Sequence, residues 1–195
     1  DLSPAFVFPK TIEPFGIPGL LCPDDIDRAL SQNPSIRAVL VTSPNYYGVR
    51  QDIPAIAAVC HAHGAKLLVD AAHGAHFPAV GLPSPIQEGA DLAALSAHKT
   101  LYALGQSAML LSGGTIDSDR LCEGASLFGT SSPSYAMMVS LDLARDALEQ
   151  DDSYQKAAEA VHALRLHLAE RTKFRPLTGY DLDPCRLTVS TAGTD

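Results

Sequence analysis

Two short apolar runs without alternation, Ala38-Val39-Leu40-Val41 and Leu67-Leu68-Val69, the second closed by Asp70, flank a stretch with helical periodicity. An unbroken run of this kind predicts a strand covered on both faces. Between the runs, residues 52 to 63 carry a helix signature. Asp52 suits the N-cap, Ile56, Val59 and Cys60 share one face, and Gly64 stands at the stop. Strand, helix and strand within about 30 residues make a βαβ unit, whose right-handed crossover sets the two strands parallel. The fold class this predicts is α/β.

The rest of the chain extends that pattern. Ala5 to Phe8 reads as an opening strand, and Pro23-Asp24-Asp25-Ile26 as a helix start with Pro and acids in the first turn. Ile26 and Leu30 share a face of that helix, and Asn33-Pro34 ends it. Leu92 to Leu95 and Ala108 to Leu111 are two further strands. Helices are predicted over 117–123, 133–149 and 153–171, and a last strand at Leu187 to Ser190. There are no repeats and no low-complexity tracts.

In parallel sheets ligands sit beyond the carboxyl ends of the strands. Three such ends here are polar: Thr42-Ser43-Pro44, then Asp70 with His73 and His76, then Ser96-Ala97-His98-Lys99. Their convergence on one crevice is the main functional signal in the residues themselves. Asp70 either caps the following turn or works in that crevice, since an acid closing an apolar run needs a partner. Lys99 is either a lysine that snorkels to solvent or a desolvated, nucleophilic amine. His73 and His76 lie in a Gly-containing loop with no HExxH helix and no CxxC partner, so no metal site is expected. His61 and His63, near a helix end, are expected at the surface or paired with the dipole.

Composition removes several classes. The 195 residues suit one domain, and 46% hydrophobic against 18% charged is neither disordered nor strongly solvated. Fourteen Lys+Arg against 22 Asp+Glu give a net charge of −8, and the five lysines are scattered, which argues against a nucleic-acid partner. The apolar stretch from Ile53 to Cys60 falls far short of the roughly 20 residues that cross a bilayer, so no membrane partner is expected. Asp1-Leu2-Ser3-Pro4 lacks the features of a signal peptide. Cysteines 22, 60, 122 and 185 form no CxxC pair. They are expected to be reduced thiols, mostly packed, in a cytoplasmic protein.

A carboxylate at one strand end and a lysine at the next suit pyridoxal phosphate, which takes a lysine at its aldehyde and a carboxylate at its pyridine nitrogen. Here the resemblance becomes specific. Val69-Asp70-Ala71-Ala72-His73-Gly74-Ala75-His76-Phe77, followed by Ser96-Ala97-His98-Lys99-Thr100-Leu101, resembles the Orn/Lys/Arg decarboxylase family of fold-type I pyridoxal-phosphate enzymes. Thr42-Ser43-Pro44-Asn45-Tyr46-Tyr47-Gly48 and Thr130-Ser131-Ser132-Pro133-Ser134-Tyr135 are similar to two more of its signatures, in order.

The resemblance implies a three-layer α/β sandwich of the aspartate-aminotransferase kind, truncated at both ends. Residues 1–175 would be the central part of the cofactor-binding major domain, and 176–195 a linker and the start of a C-terminal domain. It implies that Lys99 binds the cofactor covalently, that Asp70 meets the pyridine nitrogen, and that His73 lies by the ring or its O3′ side. Ser96 and His98 would reach the phosphate and its surroundings. Thr130 and Ser131 would approach the active site of a second subunit. Two positions depart from the family's habit: Ala71 where Glu is common, and Asn45 where Thr is common.

The implied activity is decarboxylation of a basic amino acid, arginine, lysine or ornithine. Alternatives are another fold-type I reaction, an aminotransferase or aldolase, and a non-catalytic remnant unable to hold the cofactor. A homodimer or larger assembly is implied as well. Leu127-Phe128 and Tyr135 to Val139 crowd apolar side chains beside the Thr-Ser-Ser-Pro loop, either for such an interface or to pack the chain's own helices.

Overall fold

A computed structural model describes residues 3–192. The chain opens with a small antiparallel hairpin, β1 (Thr11–Ile12) and β2 (Ile17–Pro18), and then enters α1 (Pro23–Gln32). Pro23 at the first turn and Asp24 and Asp25 beside it favour the positive end of the α1 dipole. Ile26 and Leu30, four residues apart, are both buried on one face. β3 (Ala38–Thr42), α2 (Ile53–Ala62) and β4 (Lys66–Asp70) form the expected βαβ unit. Asp52 caps α2, accepting from the Ala55 N–H at 3.0 Å, and Gly64 leaves the helix at φ +67°.

Next come β5 (Leu92–Ser96), the single turn α3 (Ala97–Thr100) and β6 (Ala108–Ser112). Three helices follow: α4 (Ser118–Phe128), α5 (Tyr135–Gln150) and α6 (Ser153–Arg171). A second short antiparallel pair, β7 (Arg175–Pro176) and β8 (Val189–Ser190), closes the described chain. The central sheet has the order β3-β4-β5-β6, the first three strands parallel and β6 antiparallel to β5.

Register decides which residues share a face. Val41, Val69 and Ala93 align on the inner face, where α2 buries Ile53, Ile56 and Cys60 against them. Thr42, Asp70 and Ala94 align on the outer face. Leu40, two residues before Thr42, is 72% exposed, so β3 is covered on one face and not on both. Its apolar run does not distinguish a strand packed twice from one whose outer side chains are apolar and bare.

Buried polar groups bolt this frame. Asp91, 1% exposed ahead of β5, accepts from Leu67 N–H (2.9 Å), His61 Nε2 (2.8 Å), Lys66 Nζ (3.0 Å) and the Thr115 hydroxyl. His61 is therefore an exposed residue with a buried partner, and His63 pairs with Asp27 at 2.7 Å. Arg50, buried, donates from Nη1 to both oxygens of Asp181 and from Nη2 to Glu88 at 2.9 Å, with its guanidinium over Phe77. With the Asp183 N–H to Gly48 carbonyl bond (2.8 Å), this ties residues 181–183 to the loop after β3. Val49 and Leu177 join Ile12 and Ile17 in a second small apolar cluster there.

Further expectations change. Ala5 to Phe8 is not a strand: Phe6 and Phe8 are exposed, and only Val7 reaches the core. The hairpin of β1 and β2 went unseen because two-residue strands carry no periodicity. The strand at Leu187 to Ser190 contracts to β8. Of the cysteines only Cys60 is fully buried, with Cys185 partly so and Cys22 and Cys122 exposed; none is bonded. No described helix is long and apolar enough to cross a membrane.

Candidate active site

Asp70 is the last residue of β4, level with Thr42 in β3 and Ala94 in β5, and partly exposed on the outer face. Its Oδ1 accepts the Ala72 N–H at 3.1 Å, which starts the turn out of the strand. Among the described residues Oδ2 has no hydrogen bond. Ala71 is fully buried and donates to the Ala94 carbonyl, so the short side chain at this position fits the core.

Gly74 then lets the loop lie close to its neighbours. A Cβ there would stand 2.9 Å from Pro44 Cδ and 3.1 Å from the Phe77 ring. Pressed in this way, His73 meets Tyr46 edge-on, 5.7 Å between centroids. Partial burial lowers the His73 pKa, and Lys99 and Arg186 nearby push it the same way. Asp70 and Asp183 oppose them. The imidazole is therefore held neutral at neutral pH.

Ser96 ends β5 on the same face as Ala94 and Asp70, and its hydroxyl has no hydrogen bond among the described residues. His98 is exposed, with Nδ1 donating to the Ser107 carbonyl at 2.9 Å, which fixes the tautomer. Lys99 follows in α3. It is exposed rather than enclosed, and among the described residues no hydrogen bond or ion pair holds Nζ. Its charge nonetheless acts on His73, as does that of Asp70. Asp70, His73 and Lys99, with Ser96 and His98 beside them, thus share one open ledge at the strand ends.

Thr130 and Ser131 are not brought to it. They lie exposed between α4 and α5, Thr130 Oγ1 accepting the Ser132 N–H at 3.1 Å. Two recesses of the surface lie away from the ledge. One, of about 600 Å3, lies by Arg37, Lys66 and Arg120, and another, of about 360 Å3, by His162, Arg165 and Tyr180.

Two neighbours of the ledge escape the strand-end argument. Arg186 donates to the Tyr46 carbonyl at 3.0 Å and sets its guanidinium 5.8 Å from the Tyr46 ring centre. Tyr46 stands within a motif, but nothing in the spacing announces Arg186. Asn45 does loop work: its amide donates to the Pro18 carbonyl and accepts from the Tyr47 and Val49 N–H groups.

Comparison with known proteins places the chain in a family. Residues 1–180 match the family model described as Orn/Lys/Arg decarboxylase, major domain. The chain is similar to the arginine decarboxylase of Bacillus subtilis (strain 168), 33% identical over 204 residues. It is also similar to the arginine decarboxylase of Halalkalibacterium halodurans, 30% identical over 201 residues. Each alignment covers 96% of this chain and 41% of the relative, so the chain spans well under half of either protein.

Among solved structures, a NifS-like protein from Rickettsia africae superposes with a TM-score of 0.68 at 21% identity, over 91% of this chain and 50% of that one. The constitutive lysine decarboxylase of E. coli gives 0.65 at 19% identity, over 90% and 32%. At such identities the likeness speaks for the fold, which is the α/β fold of type I pyridoxal-phosphate enzymes. The chain belongs to the Orn/Lys/Arg decarboxylase family, matching it through the major domain.

Proposed function

We propose that the chain carries the cofactor-binding ledge of a pyridoxal-phosphate-dependent decarboxylase acting on arginine, lysine or ornithine. The observation that carries this is a carboxylate and an unpaired lysine at the ends of neighbouring parallel strands, close enough that both act on His73. The donor set fits the cofactor: among the described residues a carboxylate oxygen of Asp70, the Lys99 Nζ and the Ser96 hydroxyl have no hydrogen bond.

In this proposal Asp70 would hold the pyridine nitrogen and keep a proton there by charge-assisted hydrogen bonding. Lys99 Nζ would hold the cofactor covalently through its aldehyde carbon. His73, its pKa lowered, would lie by the ring, and Ser96 and His98 would hold the phosphate and its surroundings. When bound, pyridoxal phosphate supplies the sink for the electron pair left as CO2 departs. Thr130 and Ser131 serve a second copy of the chain. Support for such a pairing comes from Leu127, Phe128 and Tyr135, which are 75%, 95% and 80% exposed beside them. Light scattering of the holoenzyme should give a dimer or a multiple of it, and a strict monomer at every concentration would contradict the pairing. Four unbonded cysteines suit a cytoplasmic setting.

The test is CO2 release by the holoenzyme from carboxyl-labelled arginine, lysine and ornithine, offered separately. One of the three should release label well above the other two. Transfer of the amino group to a keto acid without CO2 would favour the aminotransferase reading. A chain that takes up no yellow cofactor band would be the remnant.

A further inference from the structure

Beneath the ledge a second constellation is assembled from distant residues. His76 follows the His73 loop, while Asp183 and Cys185 come from the segment returning between β7 and β8. One donor atom from each, an imidazole nitrogen, a carboxylate oxygen and the Sγ, lies within 4.8 Å of the other two. His76 and Asp183 are buried, and Cys185 is partly so. Nε2 of His76 meets Asp183 Oδ1 at 3.0 Å, and the Cys185 N–H donates to the same oxygen at 2.9 Å.

The bonding of this cluster is incomplete. Among the described residues Nδ1 of His76 is buried without a hydrogen-bond partner, and Arg186 Nε stands 3.9 Å from Asp183 Oδ2, too far for a hydrogen bond. Burial, with Asp183 beside it, pushes the Cys185 thiol up to about 11. Arg186 stands beside this buried carboxylate without a hydrogen bond to it, and among the described residues Oδ2 of Asp183 accepts none.

We propose that His76, Asp183 and Cys185 form a binding site for a divalent, borderline-soft cation of the zinc class. One dication balances one carboxylate and one thiolate, so the ligand set itself is neutral when loaded, with the Arg186 guanidinium at the side of Asp183. Imidazole, carboxylate and thiolate are zinc ligands, and three of them leave a fourth position for water. With bonds of about 2.0–2.3 Å, tetrahedral ligands sit roughly 3.3–3.8 Å apart, so small side-chain movements close the site. On binding, the Sγ proton leaves to solvent as the metal–sulfur bond forms. The proton on Nε2 is displaced, and Nδ1, free in the structure, takes one up. The site would clamp the loop carrying His73 to the segment carrying Arg186. Spacing gave no sign of it, because His76 and Asp183 stand 107 residues apart.

Cobalt alone is the probe. The metal-free chain titrated with Co2+ should reach one equivalent, with a near-ultraviolet thiolate-to-cobalt band and intense visible bands of a four-coordinate ion. One equivalent of Zn2+ should abolish them. Cys185→Ser should lose the thiolate band while its circular dichroism stays unchanged, whereas Cys22→Ser and Cys122→Ser keep it. At a hundredfold excess over Kd, Zn2+ should raise Tm by roughly 5–10 °C in the parent chain and not in Cys185→Ser. Absence of the thiolate band at saturating Co2+, or its persistence in Cys185→Ser, would overturn the proposal.

Discussion

Asp70→Asn is expected to lower the rate of CO2 release by the holoenzyme on the order of a hundredfold or more, with the fold intact. The amide oxygen keeps the one bond that Oδ1 makes, from the Ala72 N–H, so the turn after β4 survives. Asp70 is partly exposed on the outer face, so no core packing is lost. On the proposed function, what would disappear is the negative charge that keeps a proton on the pyridine nitrogen, and with it stabilisation of charge that develops only as CO2 leaves. Asparagine therefore separates the two roles open to this residue, turn cap and electrostatic partner. Rates within threefold of the parent, with unchanged Tm, would leave Asp70 as a cap alone.

Asp91→Ala should instead strike the fold, destabilising the chain by about 3–5 kcal/mol in denaturant unfolding. Removing the carboxylate leaves the Leu67 N–H buried without its acceptor and takes the partner from Lys66, His61 and Thr115 together. Burial alone would raise the Asp91 pKa. The bonds from Thr115, His61, Leu67 N–H and Lys66 outweigh it and hold the carboxyl well below the usual range. A carboxyl depressed in the folded state contributes stability above its unfolded pKa, about 3.9, and that contribution fades as pH falls below it. The parent chain should thus lose stability steeply in acid from about pH 4 downward, and Asp91→Ala should have a shallower acid limb. A loss under 1 kcal/mol at neutral pH would remove Asp91 as the bolt between α2, β4 and β5.

The two positions mark what was legible in the sequence. The βαβ unit announced itself because Ala38 to Val41 and Leu67 to Val69 are apolar runs of strand length around a capped helix. Asp70 and Lys99 stood out because polar residues close such runs at the ends where parallel sheets bind ligands. Asp91 did not, since its partners come from three elements and only the folded sheet collects them. Arg186, Asp183 and Cys185 were hidden for the same reason: they reach the His73 loop only after the chain has returned from α6. The apolar run of β3 does not reveal its bare outer face, because Leu40 is apolar whether or not anything covers it. Spacing alone cannot tell an enclosed lysine from one at the rim, where Lys99 stands.

The central claim is that Lys99 is the residue that binds the cofactor. Borohydride reduction of the holoenzyme in the presence of pyridoxal phosphate, followed by peptide mapping, tests it most directly. The phosphopyridoxyl group should appear on Lys99 in the peptide containing Ser96-Ala97-His98-Lys99, at about one equivalent per chain, and Lys99→Ala should take up none. Label on Lys10, Lys66, Lys156 or Lys173 in its place, with Lys99 unmodified, would contradict the account.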